Sequence, residues 1–552
     1  MNQKESDFID ELKYCVGQSD VVKAVALLQF FSTISPKTQN MVLFEILKAA
    51  DKVAYPMLER LSRQDIDDEA INEKVTGLIL EKSYDNGDLI VNYIEKSNKR
   101  NKQLYIKVAG NLRLRDAVSV LENILLKETH SGVLEEAIIA LGHIGEQSAS
   151  STIARYLYGS NERLKVAAIK SLAELGGNSA IKKLFEGITG NSNSDYIIVK
   201  SLAQMQDKLS LEKLTELLSS QFVDLRNAAI DGLIEIGSKS IPIVAENLKT
   251  DDTDTMIHSL NVLGNIGDIT ALPAIQKVIY NQPADPNVRF AVYEAMERLP
   301  SSKSAISLAQ GLTDPVDHVR MAAAKAIDKN LSMVLIAGMK NMIEAKDEQS
   351  FNVVATLIDS GADNAFNFLI ESETFQDYAV SHLVETAHPE IRDHFLKLLK
   401  SKGEKKLSKR IKDAVEPEES IKKIKVVAVD DSKMMLKIYM RALHEMGYES
   451  ATYEFPAEAV KAIKKSKPDI LITDLNMPEI NGIQLTEELR KTYTSKQLPI
   501  IMITTQSDIP GQAVAGNKGS PDNAVEKAGI DMVLNKPFQD TELQAAISDL
   551  LK

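Results

Sequence analysis

The sequence predicts a multidomain chain in which an all-α array of helical repeats is followed by an α/β domain with a doubly wound parallel sheet. Two patterns support this prediction. An apolar helical segment recurs every 30 to 33 residues in the first part of the chain. In the last part, short β-branched runs each end at a polar or charged residue, which is typical of strands buried on both faces. A chain of 552 residues is also too long for a single hydrophobic core.

The recurring segment is predicted to be the first helix of a helical hairpin. Each copy ends at a glycine or another turn residue, as expected at a helix C-terminus, and a second amphipathic segment follows it. Because such a hairpin cannot bury its own apolar face, neighbouring hairpins are expected to stack as a solenoid, with Leu172 between helices. The copies end at Gly145, Gly176, Gln206, Gly237, Gly267, Pro300, Asn330 and Gly361.

These hairpins resemble HEAT repeats of the short type seen in phycobilisome-lyase-like proteins. The resemblance rests on helix starts such as LRNAA (225–229) and VRMAA (319–323), and on the turn GNIGD (264–268). We assign residues 1–400 to this region. The signature is clearest over residues 133–361 and degenerate before residue 100. Arginines recur at equivalent positions of the repeats, which predicts contacts between neighbouring repeats; they are Arg226, Arg289 and Arg320.

Polar side chains follow four of the predicted strands. Because the C-terminal ends of parallel strands converge on one crevice, we expect these side chains to lie together. Carboxylates suit Mg²⁺, and a carboxylate can attack a phosphoryl group. A hydroxyl and an ammonium group can bind phosphoryl oxygens. The set predicts a magnesium-assisted phosphoryl-transfer site, and its members are Asp430 and Asp431 after IKVVAV, Asp474 after DILIT, Thr504 after PIIMI and Lys536 after DMVLN.

The same stretch, assigned here to residues 424–552, resembles the receiver domain of two-component response regulators, a CheY-like domain of flavodoxin-like fold. The matching segments are VVAVDDSKMM, DILITDLNMPEINGIQL, LPIIMITT and VLNKPF. The resemblance implies that Asp474 is the phosphoacceptor and that Thr504 and Lys536 bind the phosphoryl group. It also implies a cis peptide bond between Lys536 and Pro537. The implied Mg²⁺ ligands are Asp430, Asp431, Asp474 and Asn476, and the implied supporting residues are Pro478, Gly482 and Pro537.

Two features depart from the family pattern. The position three residues before Lys536, where the family often has a switch aromatic, is Val533. The segment 506–529 is longer than usual and contains several glycines and prolines, so part of it is expected to be loop. We therefore expect phosphorylation to act through this segment and the edge of the fifth strand.

The resemblance implies a response regulator that a histidine kinase or a phosphotransfer protein phosphorylates. Such a receiver catalyses only its own phosphorylation and dephosphorylation, so we do not expect a further enzymatic activity. The helical repeats would bind another protein, and phosphorylation would switch that interaction. Two alternatives stay open: the repeats are a sensing input that controls receiver phosphorylation, or they form a bilin-lyase-like enzyme.

Composition argues against other classes of protein. The net charge is −13 and no basic face is evident, so we expect no nucleic-acid partner. No apolar run approaches 18 residues, so we expect no membrane insertion. Without a signal-peptide pattern and with a single cysteine, the chain is expected to be cytoplasmic. The highly charged segment 401–423 is predicted to be a linker.

Overall fold

The fold was obtained as a computed structural model, which describes residues 3–83, 87–97, 99–190, 193–415, 424–477, 480–505, 527–536, 538 and 540–551. By its internal contacts the chain divides into two compact units, Met1–Leu214 and Thr215–Lys552. The second unit contains the later helical repeats together with the α/β domain.

The described part of the first unit is helical. Its helices α7, α9 and α11 pack side by side. Short 3-10 helices occur at Leu28–Thr33, Arg115–Ala117, Gln147–Ala149 and Arg155–Tyr158. The α-helices are α1 (Gln3–Gly17), α2 (Val21–Leu27), α3 (Pro36–Lys48), α4 (Asp51–Ser62), α5 (Glu69–Ser83), α6 (Gly87–Lys96), α7 (Lys99–Asn111), α8 (Val118–Lys127), α9 (Ser131–Ile144), α10 (Ser150–Ala154), α11 (Glu162–Leu175), α12 (Gly177–Glu186), α13 (Asn193–Met205) and α14 (Lys208–Glu216), which ends two residues past the boundary.

The second unit begins with further helices of the same kind, and α17, α19 and α21 pack side by side. Its 3-10 helices are Leu217–Ser219, Gly237–Ser240, Ala245–Lys249, Ile269–Ala271 and Ser302–Ser304. Its repeat helices are α15 (Val223–Ile236), α16 (Ile241–Val244), α17 (Thr253–Ile266), α18 (Leu272–Tyr280), α19 (Pro286–Glu297), α20 (Ala305–Gly311), α21 (Asp317–Lys329), α22 (Met333–Glu344), α23 (Glu348–Asp359), α24 (Asp363–Leu369), α25 (Glu373–Glu385), α26 (Pro389–Lys402) and α27 (Lys405–Ala414).

Glycines end several of the repeat helices where the sequence predicts. At Gly145 φ is 82° and at Gly267 it is 72°, in the left-handed region that favours glycine. The Gly145 amide donates to the Leu141 carbonyl, which completes the C-terminus of α9. The prediction of helical repeats is confirmed.

Small residues let the first helices of neighbouring repeats approach closely. A Cβ atom added at Gly142 of α9 would lie 2.8 Å from the Cβ of Ser171 in α11. In the second unit, a Cβ atom at Gly264 of α17 would lie 2.9 Å from the Cα of Ala295 in α19. Both distances are too short for real atoms, so glycine at these positions sets the spacing of the helices.

The recurring arginines make a local contact that the sequence did not predict. Each donates through Nη1 to the backbone carbonyl six residues before it: Arg226 to Ser220 at 2.9 Å, Arg289 to Pro283 at 2.9 Å and Arg320 to Asp314 at 2.7 Å. Arg289 also pairs with Asp314, at the start of the next repeat, at 2.7 Å. The prediction of contacts between repeats is thus right for Arg289, but the shared role is to hold the loop before the arginine's own helix.

Leu172 of α11 tests the packing of the first unit. Its side chain is 0% exposed, as predicted. We expect Leu172→Asp to lower the free energy of unfolding by several kcal/mol, because it buries an unpaired charge. Thermal unfolding followed by circular dichroism measures the effect. Lys170→Asp, an exposed position of the same helix, is the control and should change the unfolding temperature little; equal effects of the two variants would contradict the packing.

The α/β domain has a five-stranded parallel sheet in the order β2-β1-β3-β4-β5. The α28 and α31 side chains pack on one face of the sheet, and those of α29 and α30 pack on the other. The predicted doubly wound fold class is therefore confirmed. The elements are β1 (Lys425–Val429), α28 (Lys433–Glu445), β2 (Glu449–Tyr453), α29 (Pro456–Lys465), β3 (Ile470–Asp474), α30 (Gly482–Arg490), β4 (Ile500–Thr505), β5 (Met532–Lys536) and α31 (Asp540–Leu550).

Among the residues that the structure describes, none of the helices has the length and apolar character needed to cross a membrane.

Candidate functional site

The sheet brings the predicted site residues to one edge. Asp430 directly follows β1, and Asp474 and Lys536 are the last residues of β3 and β5. Thr504 lies in β4 between those two strands and is fully buried. All strands run in the same direction, so these side chains meet at the C-terminal edge, where ligands of open α/β sheets bind.

Lys536 joins the two buried carboxylates of the site. Its Nζ lies 2.8 Å from Oδ1 of Asp474 and 2.9 Å from Oδ2 of Asp430. Asp430 is 0% exposed and Asp474 is 6% exposed. Two buried carboxylates that both lie within 3 Å of one nitrogen atom would be costly without a positive charge between them. Lys536 supplies that charge.

Backbone amides and a tyrosine hold the carboxylates in place. Oδ1 of Asp430 accepts from the Ser432 amide at 2.9 Å, and Oδ2 of Asp474 accepts from the Asn476 amide at 3.1 Å. The Tyr439 hydroxyl of α28 donates to Oδ2 of Asp430 at 3.3 Å. Tyr439 was not among the predicted site residues, although its place among the apolar residues of the amphipathic α28 indicates that it faces the sheet.

Burial and like charges shape the ionisation of the site. Burial raises the pKa of the Asp474 carboxyl, and the nearby Asp430 carboxylate adds to this shift while Lys536 opposes it. Desolvation and then the Asp430 charge raise the pKa of Asp431. For Lys536, burial lowers the pKa, but Asp474 and Asp430 outweigh it, so the pKa of the ammonium group is raised. The site is rich in negative charge and Lys536 stays protonated within it.

Gly482 is required by its position behind the site. It begins α30, and a Cβ atom there would collide with the carbonyl oxygen of Asp474. Its own amide donates to the Leu475 carbonyl at 2.9 Å. A larger residue would therefore displace the end of β3, which carries the candidate acceptor.

Several of the sequence expectations concern residues that the structure does not describe. Pro478 and Pro537 lie outside the described residues, and so does the expected cis peptide bond before Pro537. The longer segment is undescribed over residues 506–526, and the predicted linker is undescribed over residues 416–423. The earlier part of that predicted linker forms α27 (Lys405–Ala414). Val533, at the position of the family's aromatic residue, lies in β5 and is partly buried.

The side chains predicted to bind Mg²⁺ are oxygen donors at the carboxyl end of the sheet. Within the described residues, no group of three or more His, Cys, Asp and Glu side chains is arranged to bind a metal ion. Asp431 lies at the exposed mouth of the site, next to the buried Asp430. The oxygen donors are of the type that Mg²⁺ prefers, and their excess of negative charge fits a cation.

Comparison with known proteins identifies both parts of the chain. Residues 426–548 match the family model of the response regulator receiver domain. Residues 87–173, 118–197 and 248–328 match the model of HEAT repeats. The predicted HEAT resemblance is thus confirmed, and the matches begin at residue 87, within the part of the chain where the sequence signature is degenerate.

The receiver part is similar to chemotaxis proteins. It is 35% identical over 130 residues to chemotaxis protein CheY1 of Helicobacter pylori, covering 23% of this chain and 97% of that protein. It is 33% identical over 130 residues to a CheY homologue of Campylobacter jejuni, covering 23% of this chain and 92% of that protein. The solved structure of the chemotaxis response regulator CheY4 of Vibrio cholerae is 29% identical and covers 23% of this chain and 99% of its own, with a TM-score of 0.20. Because both sequence relatives are more than 30% identical to this chain and are covered almost completely, the chain belongs to the response regulator family through its C-terminal receiver domain.

Proposed function

We propose that the receiver accepts a phosphoryl group on Asp474 from a histidine kinase or a phosphotransfer protein, and that phosphorylation changes which protein the helical repeats bind. The contact that supports this proposal most directly is the bond of Lys536 to Asp474 beside Asp430. This places a positive charge next to the carboxylate that would become negatively charged acyl phosphate.

Asp474 would act as the nucleophile. A carboxylate oxygen attacks phosphorus, the bond from phosphorus to the donor nitrogen breaks, and an acyl phosphate is formed. The Asn476 amide holds the second carboxylate oxygen, which leaves Oδ1 to react once Lys536 shifts towards the phosphoryl oxygens. The ammonium group of Lys536 would then offset the added charge, and the hydroxyl of Thr504 would donate to a phosphoryl oxygen.

Asp430, Asp431 and the carbonyl of Asn476 are the residues that would hold Mg²⁺, with Asp474 as a further oxygen donor. A bound Mg²⁺ ion would neutralise charge on the phosphoryl oxygens. The Ser432 amide and the Tyr439 hydroxyl hold the Asp430 carboxylate through hydrogen bonds to its two oxygens.

Labelling of the full chain with acetyl phosphate tests the proposed chemistry. With Mg²⁺ we expect the peptide that contains Asp474 to carry a phosphoryl group. Treatment with base should remove this group. With EDTA we expect the label to fall to background, because the carboxylates then have no divalent ion to balance the incoming phosphate. Intact-mass and peptide-mass spectrometry measure the result. Label on another peptide, or equal labelling in EDTA, would contradict the assignment.

The proposed output is tested separately by affinity capture. The full chain serves as bait in two forms, one treated with beryllofluoride and Mg²⁺ to mimic phosphorylation and one untreated. We expect the set of captured proteins to differ, and this difference should be absent for a bait with Asp474→Asn. Identical capture by the treated and untreated protein would rule out switching of the repeats.

A further inference from the structure

The later repeats contact the receiver within the second unit. Arg441 of α28 forms an ion pair with Asp317 at the start of α21. One turn earlier in α28, Nζ of Lys437 donates to the carbonyl of Ser360 at 2.6 Å. Burial, with Lys325 adding to it, lowers the pKa of Lys437 to about 8. One face of α28 is therefore covered by repeat helices.

A second contact reaches the candidate phosphorylation site itself. Nδ2 of Asn287, in the first turn of α19, donates to the backbone carbonyl of Lys536 at 3.2 Å. Two turns further along α19, burial raises the pKa of Glu294 to about 6, with Arg298 opposing this shift and Glu297 adding to it. The charges of Lys536 and Asp430 make smaller contributions at the same carboxyl group. One repeat helix thus donates a hydrogen bond to the backbone of Lys536 and carries a carboxyl group that lines the same cavity as the Lys536 side chain.

A cavity of about 760 Å³ lies between these surfaces. The receiver lines it with Asp430, Asp431 and Lys536, and the repeats line it with Asn287, Glu294 and His318. The mouth of the acidic pocket therefore opens onto repeat side chains.

From these contacts we infer that α19 of the repeats borders the phosphorylation site, and that Asn287, as a positioning residue for Lys536, and Glu294, as a charge in the shared cavity, transmit phosphorylation of Asp474 to the repeats. The inference rests on the proposed function and adds a route for the signal. This route does not need the aromatic residue that Val533 replaces.

The expected direction of the change follows from charge. A phosphoryl group adds about −1.5 to −2 charges at neutral pH. The side chain of Lys536 would turn towards the phosphoryl oxygens. Its backbone carbonyl would then shift from the position in which it accepts the hydrogen bond from Asn287. Glu294 would then face additional negative charge with less compensation from Lys536. Both effects weaken the contact between α19 and the receiver, so phosphorylation is expected to loosen α19.

Hydrogen exchange of the full chain, with and without beryllofluoride and Mg²⁺, tests this inference. Exchange in the peptide that carries Asp474 reports whether the mimic is bound. In the wild-type protein we expect binding to speed exchange in residues 286–297 by roughly fivefold or more, the lower end of typical coupling between sites. We expect this response to be lost in Asn287→Ala and reduced in Glu294→Gln.

Matched substitutions at exposed sites are the controls. Asn281→Ala and Glu246→Gln make the same chemical changes at exposed positions of the repeats and should keep the wild-type response. Unchanged exchange in residues 286–297 while the Asp474 peptide responds would overturn the inference and leave the proposed function standing. A full response in both Asn287→Ala and Glu294→Gln would also overturn it. No response at the Asp474 peptide of the wild-type protein would count against the proposed function, and the inference would fall with it.

Discussion

Replacing Asp474 with asparagine is expected to abolish base-labile phosphorylation by acetyl phosphate. The amide has nearly the shape of the carboxylate, so the bond from the Asn476 amide can persist. It is a far weaker nucleophile, and an acyl phosphate needs a carboxylate oxygen. The measurement is intact mass after treatment with acetyl phosphate and Mg²⁺, followed by a base wash.

The control for this variant lies at the other end of the same strand. Asp469 directly precedes β3, is exposed, and accepts a hydrogen bond from the Lys425 amide at 2.8 Å. Asp469→Asn makes the same chemical change away from the pocket and should keep full labelling. Wild-type labelling of Asp474→Asn would place the phosphoacceptor at another residue.

Lys536→Ala should destabilise the α/β domain. It leaves Asp430 and Asp474 buried without the cation that pairs with both. Removing one partner of a buried ion pair typically costs about 3–5 kcal/mol, and the loss should be smaller when Mg²⁺ is added, since another cation then occupies the pocket. Hydrogen exchange in β1 and β3 measures the stability of the domain without interference from the repeats.

The same variant separates labelling from signalling. Because Lys536 is not the nucleophile, we expect residual labelling of Asp474 in Lys536→Ala without the change in captured proteins that the wild type shows. Lys433→Ala is the control: its side chain is 75% exposed at the mouth of the pocket, so the stability of β1 and β3 should stay close to wild type. Wild-type stability and capture in Lys536→Ala would contradict the role given to this lysine.

Local patterns were enough to predict most of the site. The runs before Asp430, Asp474 and Lys536 are short and apolar, and strands of this kind in a parallel sheet end at one edge whatever the rest of the chain does. The sequence pattern could not predict that Nζ of Lys536 lies between two carboxylates, since this depends on the register of β5 against β4. It also did not indicate the hydroxyl of Tyr439, because an aromatic residue on the buried side of a helix is ordinarily core packing.

The amino-acid sequence by itself determined the two kinds of fold, the repeat period and the five polar positions at the strand ends. These follow from the spacing of apolar residues along the chain, which acts over a few residues at a time. The tertiary structure alone decided that α19 lies against Lys536. Asn287 and Lys536 are 249 positions apart, and nothing in the local sequence around either residue encodes their meeting. The contact exists because several helices and a sheet pack together, and the surfaces that meet in this way are set by the whole unit rather than by a motif.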